Sequence, residues 1–453
     1  MKRIIGVGNR CRITNVWRTA AQWPFVAFSV TIGLAASNDY FVVHVTDQAS
    51  GRGVPLVELK LPNEVKYWTD SAGIAAIQEP AFAAREVFVA VSTHGYEFPK
   101  NTILGRGVNL TLKPGGRADI EVRRTMIAER LYRLTGEGIY RDSLLAGLPA
   151  PIREPILSEG RVLGQDTAVE TLYRGKLYWV WGDTIGSSFW NFSVTGATSE
   201  LPERGGLDPS AGVDYRYFTG SNGWVKAMLQ LPRKGVVWIE GLFTVNDPSG
   251  SERLLATYTR QQGLKPPDEC GVAIFDDAAE RFKPWFECPC QKESHRSSHP
   301  FRYRDAGREY WYLYPWLRVP DDWNSIQDAS LWERRDFRPP PNGKRASVAA
   351  WNGYRQRFVL LLENAGEVWY AEAARPEGPY GTAVKVVEHN QYNFYNLLQH
   401  PRFDQEGGRI IYFEGTYTAE FSGAKEKTPR YNYNQIMYRL RLDDPRLKPA
   451  QKP

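Results

Sequence analysis

Three stretches of the chain, residues 166–181, 299–314 and 400–413, repeat one order of residues. A polar or acidic residue comes first, a Gly-Lys or Gly-Arg pair follows about one strand's length later, and an aromatic run comes next. The polar residue and the glycine are 9 positions apart in the first copy and 8 in the other two. Glycine between two aromatic or β-branched runs is typical of a hairpin turn. The repeat therefore predicts similar strand–turn–strand units.

Looser copies begin at Glu240 and near Ser347, so that the five leading positions, at 166, 240, 299, 347 and 400, are 74, 59, 48 and 53 residues apart. A propeller blade of four strands takes roughly 40–50 residues. The sequence predicts an all-β protein whose larger part, residues 156–445, is a five-bladed β-propeller. The alternative is a β-sandwich whose hairpins are alike by chance. Stretches 190–238 and 316–341 read as long polar loops that shape a site.

Residues 38–124 alternate apolar and polar side chains, with Gly, Pro and Asp between the runs, and this predicts short strands. The order of a Thr46-Asp47 turn, a strand, and Trp68-Thr69-Asp70-Ser71-Ala72-Gly73 resembles the transthyretin-like, carboxypeptidase-regulatory β-sandwich. The resemblance implies an accessory N-terminal β-sandwich. Residues 125–155 are predicted to be a linker, in which 126–132 form a short helix or a strand that closes the last blade. Residues 446–453 are predicted to be a tail.

The formal charge of +6 is concentrated at the start of the chain, because residues 1–37 contain five Lys and Arg and no acid. This basic segment precedes an apolar run, Phe25 to Leu34, and small residues, which is typical of a signal peptide. We expect the mature chain to be secreted or periplasmic and not to be a membrane protein; the alternative is a cytosolic extension. Without residues 1–37 the charge is only +1, so no nucleic-acid partner is expected.

The four cysteines are Cys11, Cys270, Cys288 and Cys290. Removal of residues 1–37 leaves three, so one bridge can form, between Cys270 and either Cys288 or Cys290. A zinc site at Cys288-Pro289-Cys290 with His295 nearby is the less favoured interpretation, because a second ligand pair is missing.

A propeller brings the first residues of its repeats together around one axis, so Asp166, Glu240, His299 and His400 become candidate neighbours. Hydrolysis of a glycosidic bond needs one carboxylic acid to protonate the leaving oxygen and one carboxylate to activate water or attack. Asp166 and Glu240 are the candidates for that pair.

The chain resembles the five-bladed β-propeller glycoside hydrolases, the superfamily of arabinanases, β-xylosidases and invertase-type enzymes. The resemblance lies in Gln165-Asp166-Thr167-Ala168-Val169 with Gly175-Lys176-Leu177-Tyr178-Trp179, and in residues 366–380, which resemble an outer-strand signature of these blades. It implies that Asp166 is the base or nucleophile and that Glu240 tunes pKa values or acts as the acid. His299 stands where the superfamily's general-acid Glu is expected. Asp183 or Glu414 are the other candidates for the acid.

Further side chains are candidates for contact with substrate. They are Glu170 and Asp183 as supporting carboxylates, His299, His400 and Glu414 near the axis, Trp190 and other loop aromatics (Phe192, Trp224, Trp316, Trp323, Tyr395) as stacking surfaces, and Arg302, with Arg334 and Arg335, as a partner for a uronate or sulfate.

The expected partner is a carbohydrate substrate. No cofactor is required, although His299, His400 and a carboxylate could hold a divalent cation such as Ca²⁺. Two other functions remain open: a polysaccharide lyase that uses the histidines with a Tyr or Arg, and a glycan-binding propeller without activity.

Overall fold

The computed structural model describes residues 39–451 except 104, 155–158, 187–189, 192–193, 264, 291–298 and 344. The predicted signal peptide lies outside the described residues. The predicted all-β class is confirmed: 32 strands dominate the described chain. None of the described helices is both long and apolar enough to span a membrane. The helices are α1 (Arg141–Leu145), α2 (Trp323–Gln327) and the 3₁₀ turns Pro80–Phe82, Glu159–Arg161, Pro202–Arg204, Ala329–Leu331, Pro401–Phe403, Glu406–Gly408 and Pro445–Gln451.

Two sheets, β4-β1-β9-β6 and β3-β2-β5-β8-β7, form the N-terminal part. Along β1 every second residue is buried, as expected for a strand with one face on a core. Side chains from both sheets belong to one apolar core. The strands are β1 (Phe41–Asp47), β2 (Val57–Lys60), β3 (Lys66–Trp68), β4 (Ile74–Ile77), β5 (Glu86–Thr93), β6 (Tyr96–Glu97), β7 (Lys100–Thr102), β8 (Gly105–Thr111) and β9 (Arg117–Arg124).

The rest of the described chain forms five four-stranded antiparallel sheets and one small three-stranded sheet, β11-β14-β15. The strands are β10 (Glu129–Arg133), β11 (Val162–Gln165), β12 (Val169–Tyr173), β13 (Lys176–Trp181), β14 (Thr184–Gly186), β15 (Trp190–Asn191), β16 (Thr195–Ser199), β17 (Arg216–Tyr217), β18 (Val236–Asn246), β19 (Glu252–Gln261), β20 (Glu269–Asp276), β21 (Arg281–Glu287), β22 (Phe301–Asp305), β23 (Arg308–Tyr314), β24 (Leu317–Pro320), β25 (Glu333–Arg334), β26 (Arg345–Asn352), β27 (Arg357–Asn364), β28 (Glu367–Ala373), β29 (Val384–Glu388), β30 (Asn393–Gln399), β31 (Ile410–Thr418) and β32 (Asn434–Arg441).

The five larger sheets follow one another along the chain. They are β12-β13-β16-β17 (sheet 1), β18-β19-β20-β21 (sheet 2), β22-β23-β24-β25 (sheet 3), β26-β27-β28-β29 (sheet 4) and β30-β31-β32-β10 (sheet 5). Sheet 5 combines the last three strands with the early strand β10, which pairs antiparallel with β32. This is the strand order expected of a five-bladed propeller that closes on itself.

The predicted repeat corresponds to hairpin turns in two of its three copies. Arg174 and Gly175 (φ 49° and 81°) join β12 to β13, and Ala306 and Gly307 (φ 49° and 85°) join β22 to β23. Two consecutive positive φ values are those of a type I′ turn, which glycine accepts without strain. The third copy differs, because Pro401–Phe403 and Glu406–Gly408 are 3₁₀ turns between β30 and β31. His400 therefore follows the first strand of its sheet, whereas Asp166 and His299 precede theirs.

Three segments differ from their predicted roles. Residues 190–238 contain β15, β16, β17 and the start of β18, and residues 316–341 contain β24 and β25, so part of each predicted loop belongs to a sheet. Within residues 125–155, by contrast, β10 belongs to sheet 5 and corresponds to the strand that was one of the two alternatives predicted for residues 126–132. In the predicted tail, Leu447 and Ala450 are buried. Short strands of mixed composition lack the alternation by which strands are recognised in sequence.

Candidate functional site

A cavity of about 1260 Å³ is lined by side chains from sheets 2, 4 and 5 and from the segments next to β12 and β13 of sheet 1. Asp166 directly follows β11, Asp183 directly precedes β14, Glu240 belongs to β18 and Glu363 is near the end of β27. The structure thus brings the two predicted catalytic residues, Asp166 and Glu240, to one cavity. A cavity with a few convergent polar groups is the usual form of a small-molecule site.

The Asp166 carboxylate accepts three hydrogen bonds. The Tyr395 hydroxyl donates to Oδ2 at 2.8 Å, the Tyr433 hydroxyl donates to Oδ2 at 3.0 Å, and the backbone N–H of Asp183 donates to Oδ1 at 2.8 Å. Burial raises the pKa of Asp166 above its ordinary value and repulsion from Asp183 raises it further, while the two tyrosines oppose this shift. Asp166 is therefore fixed in orientation and titrates well above an exposed aspartate.

Asp183 is the immediate neighbour of Asp166. The indole Nε1 of Trp238 donates to Asp183 Oδ1 at 3.0 Å, and the Tyr433 hydroxyl also lies 3.5 Å from Asp183 Oδ2. Burial raises the pKa of Asp183, against the effect of these donors. Because Tyr433 reaches both carboxyl groups, Asp166 and Asp183 act as one coupled acidic pair.

Glu240 is positioned by an irregularity in its strand. The pairing of β18 with β19 shifts register between Ile239 and Gly241, so that Glu240 is the extra residue of a bulge. A bulge redirects a side chain out of the regular alternation. The Glu240 side chain is almost fully buried and its Oε1 accepts a hydrogen bond of 2.8 Å from the Thr259 hydroxyl. Burial raises the pKa of Glu240 to about 8.

Glu363 and Asn396 connect sheets 4 and 5 behind the acidic pair. The backbone N–H of Asn396 donates to Glu363 Oε2 at 2.7 Å, and the Asn396 amide donates to the Thr167 hydroxyl. Asn396 and Thr167 both have positive φ, 50° and 54°. For a β-branched residue this conformation is a genuine outlier, and it persists only where surrounding bonds enforce it. The residue after Asp166 and the residue after Tyr395 are thus held together.

Sequence reasoning did not select Glu363, Tyr433 or Trp238. None of the three lies in the repeated pattern, and the fold brings each to the cavity from a different part of the chain. Glu363 is the second-last residue of the apolar strand β27, where an acid close to a two-residue turn reads as a solvated strand end. For Tyr433 the sequence does offer an indication, because polar and aromatic residues alternate in Asn432-Tyr433-Asn434.

Glu170, His299, His400 and Glu414 form a second, buried cluster. His400 Nε2 lies 3.0 Å from Glu414 Oε1, and Glu170 Oε1 lies 3.5 Å from His299 Nε2 and 3.9 Å from His400 Nδ1. Burial lowers the pKa of His299 to about 4. Although burial opposes a charged ring at His400, its interactions with Glu170 and Glu414 raise the pKa of His400 to about 9. The cluster unites four predicted binding residues, but none of them is among the described residues that line the cavity.

The remaining predicted contacts also lie away from the cavity lining. Arg302 Nε is 2.8 Å from Asp321 Oδ2, and its guanidinium lies over the Trp311 ring. Trp316 stacks on Tyr314 and Trp323 packs against Trp285. The Trp190 side chain and Phe192 lie outside the described part of the structure. Of the predicted aromatics, Tyr395 alone lies in the described cavity lining.

Cys270 and Cys290 form a disulfide, one of the two pairings left open, and Cys288 is a free thiol. Cys11 and His295 lie outside the described residues. Within the described residues, no three histidine, cysteine or carboxylate side chains are grouped so that they could hold a metal ion.

No family model matches the sequence, and no curated protein matches it significantly. Solved structures share parts of the fold. They include a Bacteroides ovatus protein assigned as a hydrolase (11% identity, TM-score 0.41, covering 62% of this chain and 87% of the other). A Bifidobacterium bifidum protein assigned as an exo-β-1,3-galactanase has 11% identity and a TM-score of 0.39, covering 68% and 92%. An endo-1,5-α-L-arabinanase from Thermotoga petrophila has 12% identity and a TM-score of 0.38, covering 62% and 71%. At these values the likeness does not establish a shared activity.

Proposed function

We propose that this protein is a glycoside hydrolase that acts with Glu240 as general acid and Asp166 as base. The observation that carries the proposal is that both carboxyl groups line one cavity in environments that differ. Two carboxyl groups with different environments are what acid/base cleavage of a glycosidic bond needs.

Glu240 suits the acid role because it holds its proton at neutral pH. Its surroundings supply one hydrogen-bond donor, Thr259, and burial raises its pKa to about 8. A general acid is most effective when its pKa lies near the working pH. The Glu240 carboxyl would donate its proton to the leaving oxygen of the glycosidic bond.

Asp166 suits the base role because three donors stabilise and orient its ionised form. Burial, and after it repulsion from Asp183, raises the pKa of Asp166, which makes the carboxylate more basic. Asp166 would accept a proton from the attacking water or attack the sugar directly. Neither route requires a metal ion.

The charges of the cavity favour a neutral sugar over an acidic one. Among the described lining residues, the only Lys or Arg is Lys427, and its Nζ lies 2.6 Å from Glu420 Oε1. A uronate or sulfate would enter beside several carboxyl groups without a cation to bind it. A lyase, which acts next to a uronate, is therefore disfavoured. A non-catalytic glycan-binding protein remains the alternative.

The proposed place of action is outside the cytosol, as predicted from residues 1–37. The Cys270–Cys290 disulfide supports this proposal, since such bonds persist mainly in oxidising compartments.

The test is the release of reducing ends from neutral polysaccharides (arabinan, galactan, xylan, β-glucan), with polygalacturonate as the acidic control. We expect activity on at least one neutral polymer, and a loss of kcat of about 100-fold or more in both Glu240→Gln and Asp166→Asn. Glu333→Gln removes a carboxylate that binds Arg318 outside the described cavity lining, and it should retain activity.

Binding of a neutral polymer without release of reducing ends would identify a binding protein. Absorbance at 235 nm on polygalacturonate would identify a lyase. Full activity of Glu240→Gln would remove Glu240 from the acid role.

A further inference from the structure

The loop that joins β31 to β32 presents an aromatic ring to the mouth of the cavity. Phe421 lines the cavity, yet it is 87% exposed. Its φ of 53° places it in the left-handed region, which is unfavourable for a residue with a side chain. The fold thus maintains an unfavourable backbone conformation at an exposed ring beside the site.

Hydrogen bonds fix this loop, residues 419–427, at several points. The Ala419 N–H donates to Asn432 Oδ1 at 2.7 Å, and the Gly423 N–H donates to the Gln391 carbonyl at 3.1 Å. The Tyr392 hydroxyl donates to the Glu426 carbonyl at 3.0 Å. The conformation of Phe421 is therefore imposed by its neighbours.

The N-terminal sheets also hold the loop. Lys66 of β3 lies 2.9 Å from the Glu426 carboxylate and 3.7 Å from Glu58 of β2. The N-terminal part of the chain therefore supports one wall of the cavity mouth.

The surroundings of Phe421 combine an apolar face with neutral polar groups. Asn364, Asn390 and Asn393 line the same cavity, and Lys427 is paired with Glu420. A sugar ring has an apolar C–H face and a rim of hydroxyl groups, which an aromatic face and side-chain amides match. At about 1260 Å³ the cavity exceeds the roughly 300–1,000 Å³ of an ordinary small-molecule pocket. The cavity has room for more than one ring.

We infer that Phe421 is a sugar-binding platform for a ring of a neutral glycan chain other than the ring at Asp166 and Glu240. This inference rests on the proposed function for the nature of the ligand. According to this inference, the loop 419–427 makes the site bind glycan chains more tightly than single sugars.

The test measures binding in the Glu240→Gln background, which leaves the glycan intact. Quenching of Trp238, which lines the cavity, reports the dissociation constants of oligomers of one to six units from arabinan, galactan, xylan and β-glucan. We expect Phe421→Ala to weaken binding of the longer oligomers about fivefold and to leave the single sugar unchanged. Phe421→Trp should retain the affinity.

Tyr354→Ala removes a 44% exposed aromatic ring outside the described cavity lining, and it is the matched control. Because the Phe421 ring is exposed, Phe421→Ala should unfold at the same temperature as its parent. Equal affinity of Phe421→Ala and its parent at every chain length overturns the inference, and so does an equal loss for the single sugar. Absence of binding to all four series overturns it together with the proposed function. Phe421-dependent binding, together with an absence of cleavage by the wild-type protein, leaves the inference standing and rejects the hydrolase.

Discussion

The two proposed catalytic carboxyl groups differ in the donors that surround them. Asp166 accepts hydrogen bonds from three donors, including two tyrosine hydroxyls, whereas Glu240 accepts one from the hydroxyl of Thr259 among the described residues. Donors favour the ionised form of a carboxyl group, and burial without donors favours the protonated form. The local hydrogen bonds therefore assign the base and acid roles more clearly than residue type does.

A first prediction concerns the alkaline limb of the pH profile. In the proposed mechanism activity requires protonated Glu240, so kcat/KM should fall as the pH rises through its pKa of about 8. Thr259 stabilises the ionised form, and Thr259→Val should raise the pKa of Glu240 and move this limb to higher pH. Thr244→Val, another buried threonine, is the control. A shift of the limb to lower pH would contradict this assignment.

A second prediction needs no substrate. Glu240 has a pKa of about 8 when folded against 4.5 when exposed, so the folded state holds its proton more tightly. Its contribution to stability is present below pH 4.5 and is lost as the pH rises to about 8. Glu240→Gln should therefore gain melting temperature relative to the wild type between pH 5 and pH 9, measured by calorimetry. A difference that stays constant over this range would show that Glu240 is not buried in its acid form.

Two local irregularities shape the site at the scale of single elements. The bulge in β18 turns Glu240 to the cavity, and the positive φ at Thr167 follows Asp166 directly. In regular strands side chains alternate between faces, so each irregularity changes which residues share a face. The disulfide is a third constraint, because it ties β20, the third strand of sheet 2, to the segment after β21.

We predict that Cys290→Ser lowers the free energy of unfolding by about 2–4 kcal/mol, since the disulfide restricts the unfolded chain. Cys288→Ser should change it by less than about 1 kcal/mol, because this thiol is free. Urea unfolding and peptide mapping without reductant test both statements. An equal cost in the two variants would mean that Cys288 takes part in the bridge.

In the molecule as a whole, β10 connects the N-terminal sheets to sheet 5. Arg130 of β10 is fully buried and donates to the carbonyls of Pro55 and His94, each at 3.0 Å, and to the Thr93 hydroxyl at 2.8 Å. From the other side, the Tyr431 hydroxyl donates to the Thr69 carbonyl at 2.6 Å. The two parts of the described chain therefore share buried polar contacts as well as one apolar core.

We predict that Arg130→Met lowers the free energy of unfolding by about 3 kcal/mol or more, because three buried acceptors lose a charged donor. Arg123→Met, at an exposed position on β9, should cost about 0.5 kcal/mol or less. Calorimetry measures these changes, and it also shows whether the N-terminal sheets unfold together with the rest of the chain in one transition or separately in two. Equal stability of the two variants would show that β10 does not hold the N-terminal sheets.

The sequence alone determined the all-β class and two of the three recurring hairpins. These follow from local properties: the alternation of side chains along a strand and the glycine that a two-residue turn requires. It also selected Asp166 and Glu240, because acids at the starts of repeated units are conspicuous. The sequence did not decide whether residues 126–132 form a helix or a strand, or whether Cys270 pairs with Cys288 or Cys290.

Only the tertiary structure decided which side chains meet. Tyr395 and Tyr433 reach Asp166 from positions 229 and 267 residues away, and a shift of one residue in β30 would turn Tyr395 to the other face. The same geometry placed His299, His400, Glu170 and Glu414 in a buried cluster outside the described cavity lining and brought Glu363 to the cavity. Strand register and bulges are set by pairing between distant segments, and a single sequence read locally does not contain that information.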